Sequence, residues 1–298
     1  MDNRFLVTGG EGFIGRNLKE HLVHNNHEVE TLDIEGDPYY KASILDISAL
    51  RAAIKDADGV FHLAAITSPP QFENDLFSGF NTNVNGTLNV LRVAAENNLK
   101  RAVIASSSAV YGDLKAPGKE DMPIYGHENM YATTKLFDEY LGRHYTIRGE
   151  LEVVSLRFFN TYGIGENSKG LYSSVISKFL ESLSSKEEPL IYGDGNQSRD
   201  FIYVKDVAEA ANAAMFKGIP GESYNIGTGI SYSFNSIIGL ISEVLNQEIK
   251  AKYTKIPFRN YQLFTQADME KTFSGFGWQP KYDLKKGIAE MCINMGLL

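Results

Sequence analysis

Short apolar runs rich in Val, Ile and Leu alternate with longer amphipathic stretches through the first half of the chain. Runs of this kind suit strands buried on both faces, and the stretches between them are long enough for crossover helices. The pattern predicts strands at Arg4–Thr8, Glu28–Asp33, Gly59–Leu63, Arg101–Ser106 and Leu151–Leu156, with helices starting near Gly12, Ser48, Phe77 and Glu128. The βαβαβαβαβ order is that of an α/β protein with a doubly wound parallel sheet. Past Asn160 the rhythm becomes irregular, with a helix near Tyr172–Ser184, a strand near Leu190–Tyr192 and a helix over Val204–Phe216. Residues 1–163 are therefore expected to form the sheet domain. Residues 164–298 would form a smaller, mixed substrate-binding region, part of it crossing back to the first. With no flexible linker between the halves, the cleft is expected at their interface.

Composition narrows the class. Of 298 residues 43% are hydrophobic and 22% charged, enough for a sizeable core without a disulfide or a structural metal. Lys and Arg number 29 against 37 Asp and Glu, a net charge of −8, which argues against a nucleic-acid partner. A phosphorylated small molecule stays open, because a few local cations and backbone N–H groups suffice to hold it. The single cysteine, Cys292, has no partner for a disulfide or a thiolate metal cage, which fits a reducing compartment. No apolar run approaches the ~20 residues a spanning helix needs, and no basic leader precedes the first strand. The expectation is a soluble, cytoplasmic protein.

Chemistry first shows at Thr8-Gly9-Gly10-Glu11-Gly12-Phe13-Ile14-Gly15, between the first strand and the first helix. Glycines at 9, 12 and 15 allow a tight turn, close approach of backbone to a pyrophosphate and close helix–strand packing, with the diphosphate at the helix N-terminus. Three glycines by themselves are only a loop. Asp33 ends the next strand about 20 residues on, where a carboxylate accepts the ribose hydroxyls of a dinucleotide. An acid there repels a 2′-phosphate, so NAD is favoured over NADP.

Tyr131 and Lys135 stand at i and i+4 on a predicted helix and so share a face. Such pairs are common on solvated helices. In a catalytic reading, the lysine and a positive nicotinamide lower the phenol's pKa until Tyr131 serves as a general base. Ser106-Ser107-Ser108 ends the strand that starts at Arg101, at the sheet edge where doubly wound folds place their sites, although serines also serve turns there.

Taken in order, these segments resemble the extended short-chain dehydrogenases/reductases, specifically the NAD-dependent nucleotide-sugar epimerase/dehydratase family, closest in type to the UDP-glucose 4-epimerases. The resemblance also rests on Asp46-Ile47, His62-Leu63-Ala64-Ala65, Asn83 to Thr87, Ser106 to Gly112, Leu156 to Gly163, Arg199 to Val207 and Asn225 to Gly229, and so covers nearly the whole chain. It implies a Rossmann-like domain and a catalytic set of Ser107, Tyr131 and Lys135. The implied cofactor-binding residues are Gly9, Gly12, Phe13, Ile14, Gly15, Asp33, Asp46, Ile47, Leu63, Ala64, Ala65 and Asn83, with Tyr131 and Lys135. For the nucleotide-diphosphate sugar it implies Ser107, Ser108, Tyr131, Asn160, Arg199 and Arg259. Family members pair as homodimers through a four-helix contact, here the helices near Phe77 to Asn97 and Glu128 to His144. No metal is implied.

The resemblance also bears on the reaction. Dehydratases of the family carry Asp-Glu directly after the catalytic hydroxyl residue, and the decarboxylases keep a glutamate there. This chain has Ser108-Ala109, which leaves C4 epimerisation through a 4-keto sugar. Three alternatives stay open. Lys169 in Ser168-Lys169-Gly170, with Tyr261 to Asp268, resembles the ADP-heptose 6-epimerases, where such a lysine is a second acid/base. A dinucleotide-sensing protein without chemistry and a dehydrogenase acting on a free small molecule are the others. Thr265 is read as a gate residue small enough to admit an N-acetyl group.

Overall fold

The computed structural model describes residues 3–67, 72, 74–124, 129–257 and 261–298, the side chains of Ser168, Lys169 and Leu171 excepted. Pro69, Pro70 and Arg259, and the start of the predicted helix at Glu128, lie outside the described residues.

Among the described residues the strands are β1 (Arg4–Thr8), β2 (Glu28–Asp33), β3 (Tyr40–Lys41), β4 (Gly59–His62), β5 (Arg101–Ser107), β6 (Glu152–Phe158), β7 (Asn160–Tyr162), β8 (Leu190–Tyr192), β9 (Ser198–Tyr203), β10 (Ser223–Ile226), β11 (Ser231–Ser233) and β12 (Lys252–Thr254). The helices are α1 (Phe13–His24), α2 (Ile47–Ile54), α3 (Leu76–Phe80), α4 (Gly86–Glu96), α5 (Met130–Ile147), α6 (Val175–Ser184), α7 (Val204–Lys217), α8 (Phe234–Leu245), α9 (Glu270–Phe276) and α10 (Leu284–Asn294). A π-helical turn, Asn81–Asn85, joins α3 to α4.

The main sheet runs β10-β6-β5-β4-β1-β2-β3, every pair parallel, and is the Rossmann-like sheet expected from the alternating runs. Strand order reverses at β1, whose neighbours β2 and β4 are reached in opposite directions, the point at which doubly wound sheets place a ligand beyond the carboxyl ends of their strands. Parallel register brings those ends to one edge: Thr8 lies beside His62, His62 beside Ile104, and Ser107 beside Phe158. A smaller sheet, β11-β9-β7, and the β12-β8 pair make the mixed remainder.

Alternation along β1 shows how the sheet is covered. Phe5 and Val7 enter the core beneath α1 and α7, while Leu6 enters the core beneath α2, α4 and α5. Both faces are buried, so the strand reads as a continuous apolar run. A third core, built from Tyr162, Phe179, Ile237 and Ile288 among others, fills the smaller region.

The chain after residue 164 does not stay in that smaller region. α7 packs on α1, and β10 adds to the main sheet at β6. β10 is four residues, Ser-Tyr-Asn-Ile, too short and too polar to show as an apolar run. The helix start at Val204 stands as expected, and the other predicted starts differ by one to three residues for local reasons. Asp46 caps α2 through the Ser48 and Ala49 N–H groups, Asn129 caps α5 through Tyr131 N, and Ser174 caps α6.

Helix α5 is unusual in what it buries. Its inward stripe comprises Tyr131, Ala132, Thr134, Lys135, Asp138, Glu139 and Gly142, a largely polar face turned onto a sheet. Glu139 is held bidentately by Arg157 of β6, at 2.8 and 2.7 Å, and accepts from Ser106 (2.5 Å) and Ser223 (3.0 Å). Arg157 also donates to the Tyr111 hydroxyl, which in turn donates to Asn225 Oδ1. Burial disfavours the guanidinium's charge, but Glu139 more than compensates and raises its pKa.

On β4, His62 is fully enclosed between Thr8 and Thr87, at 2.7 Å from Nδ1 and 2.9 Å from Nε2. The Thr87 hydroxyl donates to the Asn83 carbonyl at 2.5 Å, so its oxygen is free to accept from Nε2–H, and Nδ1 accepts from Thr8. Burial and the nearby Lys135 charge lower His62 to about 3, so it is neutral at physiological pH.

Two outcomes follow. Glu139→Ala leaves the Arg157 charge buried without its partner, a loss of about 3–5 kcal/mol by urea denaturation. The His62 pKa is lower in the folded than in the unfolded chain, so its contribution is intact above about pH 6.5 and falls by about 1.4 kcal/mol per pH unit as pH drops towards 3. Urea midpoints measured across that range should fall less steeply for His62→Gln than for the wild type.

Candidate active site

The glycine turn leads from β1 into α1 under tight constraints. Gly9 has φ +69°, and a Cβ on it would lie 2.7 Å from Ala64 N, so the turn and the Leu63–Ala65 segment press directly on each other. A Cβ on Gly15 would run into the Gly9 carbonyl oxygen. Gly12 is the N-cap of α1, makes no side-chain cap, and no acid occupies the first turn. A helix start of this kind, without a capping side chain or a first-turn acid, suits an anionic ligand.

Asp33 ends β2 against this turn. Its carboxylate accepts from Glu11 N at 2.9 Å and from Ile34 N and Glu35 N at 2.8 and 3.2 Å. The acid expected to meet the ribose therefore also shapes the loop beside it. Phe13 and Ile14 open α1, and Ile47 opens α2 behind Asp46, one of whose oxygens already serves as the cap. These features fit a dinucleotide lying over the β1 end with its diphosphate at α1.

Asn83 has a different relation to that channel than a direct contact. It is fully buried in the π-helical turn, its oxygen accepting from Ile66 N (2.8 Å) and its nitrogen donating to Ile66 O (3.0 Å) and Thr134 Oγ1 (3.2 Å). Its amide fastens the loop after Ala65 to α5, shaping the channel from behind.

Ser107 is the last residue of β5 and caps the 3-10 turn Ser108–Tyr111, its Oγ accepting from Ala109 N at 3.1 Å. An accepting Oγ keeps its proton for a ligand oxygen. α5 packs on β5 and on this turn, which brings its first turn, carrying Tyr131, to the same sheet edge. Tyr131 is largely buried, with Phe72 edge-on to its ring. Lys135 Nζ donates to Ala105 O at 2.9 Å and meets Asp138 Oδ2 at 3.4 Å. Ser108 is buried beside Ser107.

On the other side of the cleft, Arg199 of β9 is 8% exposed. It donates to the carbonyls of Ser198 (2.9 Å) and Gln262, and lies over the rings of Phe234 and Tyr261. Among the described residues no carboxylate lies within ion-pair distance of it. Burial lowers it to about 10, against the pull of Tyr261 and Asp113, so it is charged at neutral pH. A buried guanidinium without a carboxylate partner suits an anionic ligand.

Asn160 and Thr265 turn out to be bound to each other. Asn160 Nδ2 donates to Thr265 Oγ1 (2.8 Å) and Asp200 O (3.1 Å), so the donors that the resemblance assigns to a diphosphate are engaged by protein. Thr265, 1% exposed, also accepts from Asp200 N at 3.1 Å; it is a clasp between segments and not an open gate wall. Arg259 and the Lys169 side chain lie outside the described residues.

Sequence reasoning passed over His62, Asp138, Glu139 and Asp200. His62 stands in the quoted His-Leu-Ala-Ala segment but carried no assignment there. Asp138 and Glu139 sit three and four residues after Lys135, a spacing that already put them on its face. Asp200 gathers Thr228, Gly229 and Ala267 N–H groups onto one buried carboxylate, which no local signal announces.

Residues 5–227 match the NAD dependent epimerase/dehydratase family. A putative UDP-glucose 4-epimerase of Methanocaldococcus jannaschii is 35% identical over 95% of each chain. A UDP-N-acetyl-alpha-D-glucosaminuronate decarboxylase of Bacillus cytotoxicus is 34% identical over 87% of this chain and 84% of its own. In structure, a UDP-N-acetylglucosamine 4-epimerase from Methanobrevibacter ruminantium, solved with UDP-N-acetylmuramic acid, superposes with a TM-score of 0.90 at 30% identity, covering 97% of this chain and 96% of that one. The protein belongs to the NAD-dependent nucleotide-sugar epimerase/dehydratase family, an enzyme family whose cofactor is NAD.

Proposed function

We propose that the enzyme inverts C4 of a UDP-hexose, UDP-glucose to UDP-galactose or their N-acetylated forms, through a 4-keto sugar. The observation that carries this reading is Ser108-Ala109 directly after Ser107. Elimination of water needs an added acid and base at the sugar, and these two positions supply neither. Two of the similar proteins bear 4-epimerase names, which supports the same choice.

Each group then has a task. Tyr131 takes the proton of the C4 hydroxyl, with Lys135 stabilising the phenolate. Ser107 donates its hydrogen bond to the same oxygen as it becomes a carbonyl. Arg199 holds the diphosphate, about which the keto sugar turns to present its other face. Bound NAD supplies hydride acceptance and return, so there is no net redox change.

Exposed apolar side chains support a homodimer. Phe77 is 82% and Tyr140 60% exposed, with Phe80, Leu88 and Phe137 also open, on α3, α4 and α5, the helices expected to pair. A second copy covering this face is the occupant we propose. In light scattering the wild type should then run as a dimer and Phe77→Asp/Tyr140→Lys as a monomer. A monomeric wild type would remove this part of the reading.

Purified protein incubated separately with UDP-glucose, UDP-N-acetylglucosamine, UDP-glucuronate and ADP-heptose, with products resolved by proton NMR, tests the reaction. The expected result is a C4 epimer with no net NADH. Tyr131→Phe should lower the rate by about 10²–10⁴-fold. A pentose product with released carbon dioxide, or a heptose inverted at C6, would replace the reading with decarboxylation or with a Lys169-dependent 6-epimerase.

A further inference from the structure

In the proposed function Lys135 acts on Tyr131 through its field, so what surrounds the ammonium decides how much of that field arrives. Its side chain is 4% exposed, and Asp138, its ion-pair partner, is 1% exposed. The pair is intrahelical, at i and i+3, on a helix already fastened to the sheet by Glu139 and Arg157. Holding the helix in place is therefore a task already met without Asp138.

The surroundings of Asp138 are otherwise close to neutral. Glu139 on the same helix is matched by Arg157, Thr87 faces it from α4, and His62 beyond Thr87 on β4 is uncharged. Lys135 is thus the full charge it opposes, and Tyr131 stands one turn further towards the helix start. Burial pushes the Asp138 carboxyl up to about 6, against the pull of Lys135, so its charge changes just below neutrality.

We propose that Asp138 is a positioning residue that holds Lys135 and tempers its charge, and thereby sets the acidity of Tyr131. This rests on the reading of Tyr131 as the base. When Asp138 is ionised, part of the ammonium's field is cancelled and the phenol keeps its proton more firmly. When Asp138 is protonated, the field reaches Tyr131 undiminished. An aspartate here makes the base less acidic than an uncharged residue would.

The test is a pH titration of tyrosinate absorbance in the holoenzyme, in wild type, Tyr131→Phe, Asp138→Asn and the double variant. Subtracting each Tyr131→Phe curve isolates Tyr131 with and without the carboxylate. The Tyr131 midpoint should fall by about one pH unit in Asp138→Asn, and the acid limb of turnover should move down with it. An unchanged or raised midpoint overturns the proposal and leaves Asp138 a packing residue. Asp138→Ser, smaller and uncharged, carries the same measurement if the asparagine variant does not fold. Because the titration needs no substrate, it judges Asp138 even if the Tyr131→Phe enzyme still turns over, a result that would overturn only the assignment of the base.

Discussion

The buried ion pair between Glu139 and Arg157 is the contact on which the arrangement of the cleft depends. Through it α5 is tied to β6, through Ser106 to β5 and through Ser223 to β10. The same arginine reaches Tyr111, whose hydroxyl passes the contact on to Asn225 in β10. A charge taken out of water is tolerated only when its hydrogen bonds are nearly complete, and this pair meets that condition. It couples the helix bearing Tyr131 and Lys135 to the strand bearing Ser107, and both to the part of the chain that returns from the smaller region.

The position of the cleft follows from topology. Helical crossovers make every strand of the main sheet parallel, so all carboxyl ends share one edge, and the order reverses at β1. The glycine turn, the Leu63–Ala65 segment, Ser107 and the first turn of α5 are all consequences of where those strands end. Backbone closeness adds to this, since a Cβ on Gly9 would run into Ala64, so the glycine turn and the Leu63–Ala65 segment fix each other's position.

A cost of this layout is the polar stripe buried by α5 and its neighbours. His62 is kept neutral by enclosure, and Asp138 is held near the edge of ionisation by the same cause. Their effects on stability oppose each other: acid destabilises through His62 below about pH 6.5, whereas Asp138, with its folded pKa raised to about 6, favours the folded state as pH falls through that value. Buried titratable groups of this kind concentrate where chemistry needs them.

By itself the sequence determined the parallel sheet and the glycine turn, because apolar periodicity and short spacings are local properties of the chain, while the choice of Ser107, Tyr131 and Lys135 as a set came from the family resemblance. β1, β2 and β8 appear with the bounds that their residues predict. Tertiary structure decided the rest. That β10 joins the main sheet, that Asn160 clasps Thr265, that the Asn83 amide binds Ile66, and that Arg199 lies buried with no carboxylate in ion-pair distance among the described residues all depend on contacts between residues far apart in the chain. Long-range hydrogen bonds and burial leave no periodic trace in the sequence, so these roles became legible only once the chain had brought its distant segments together.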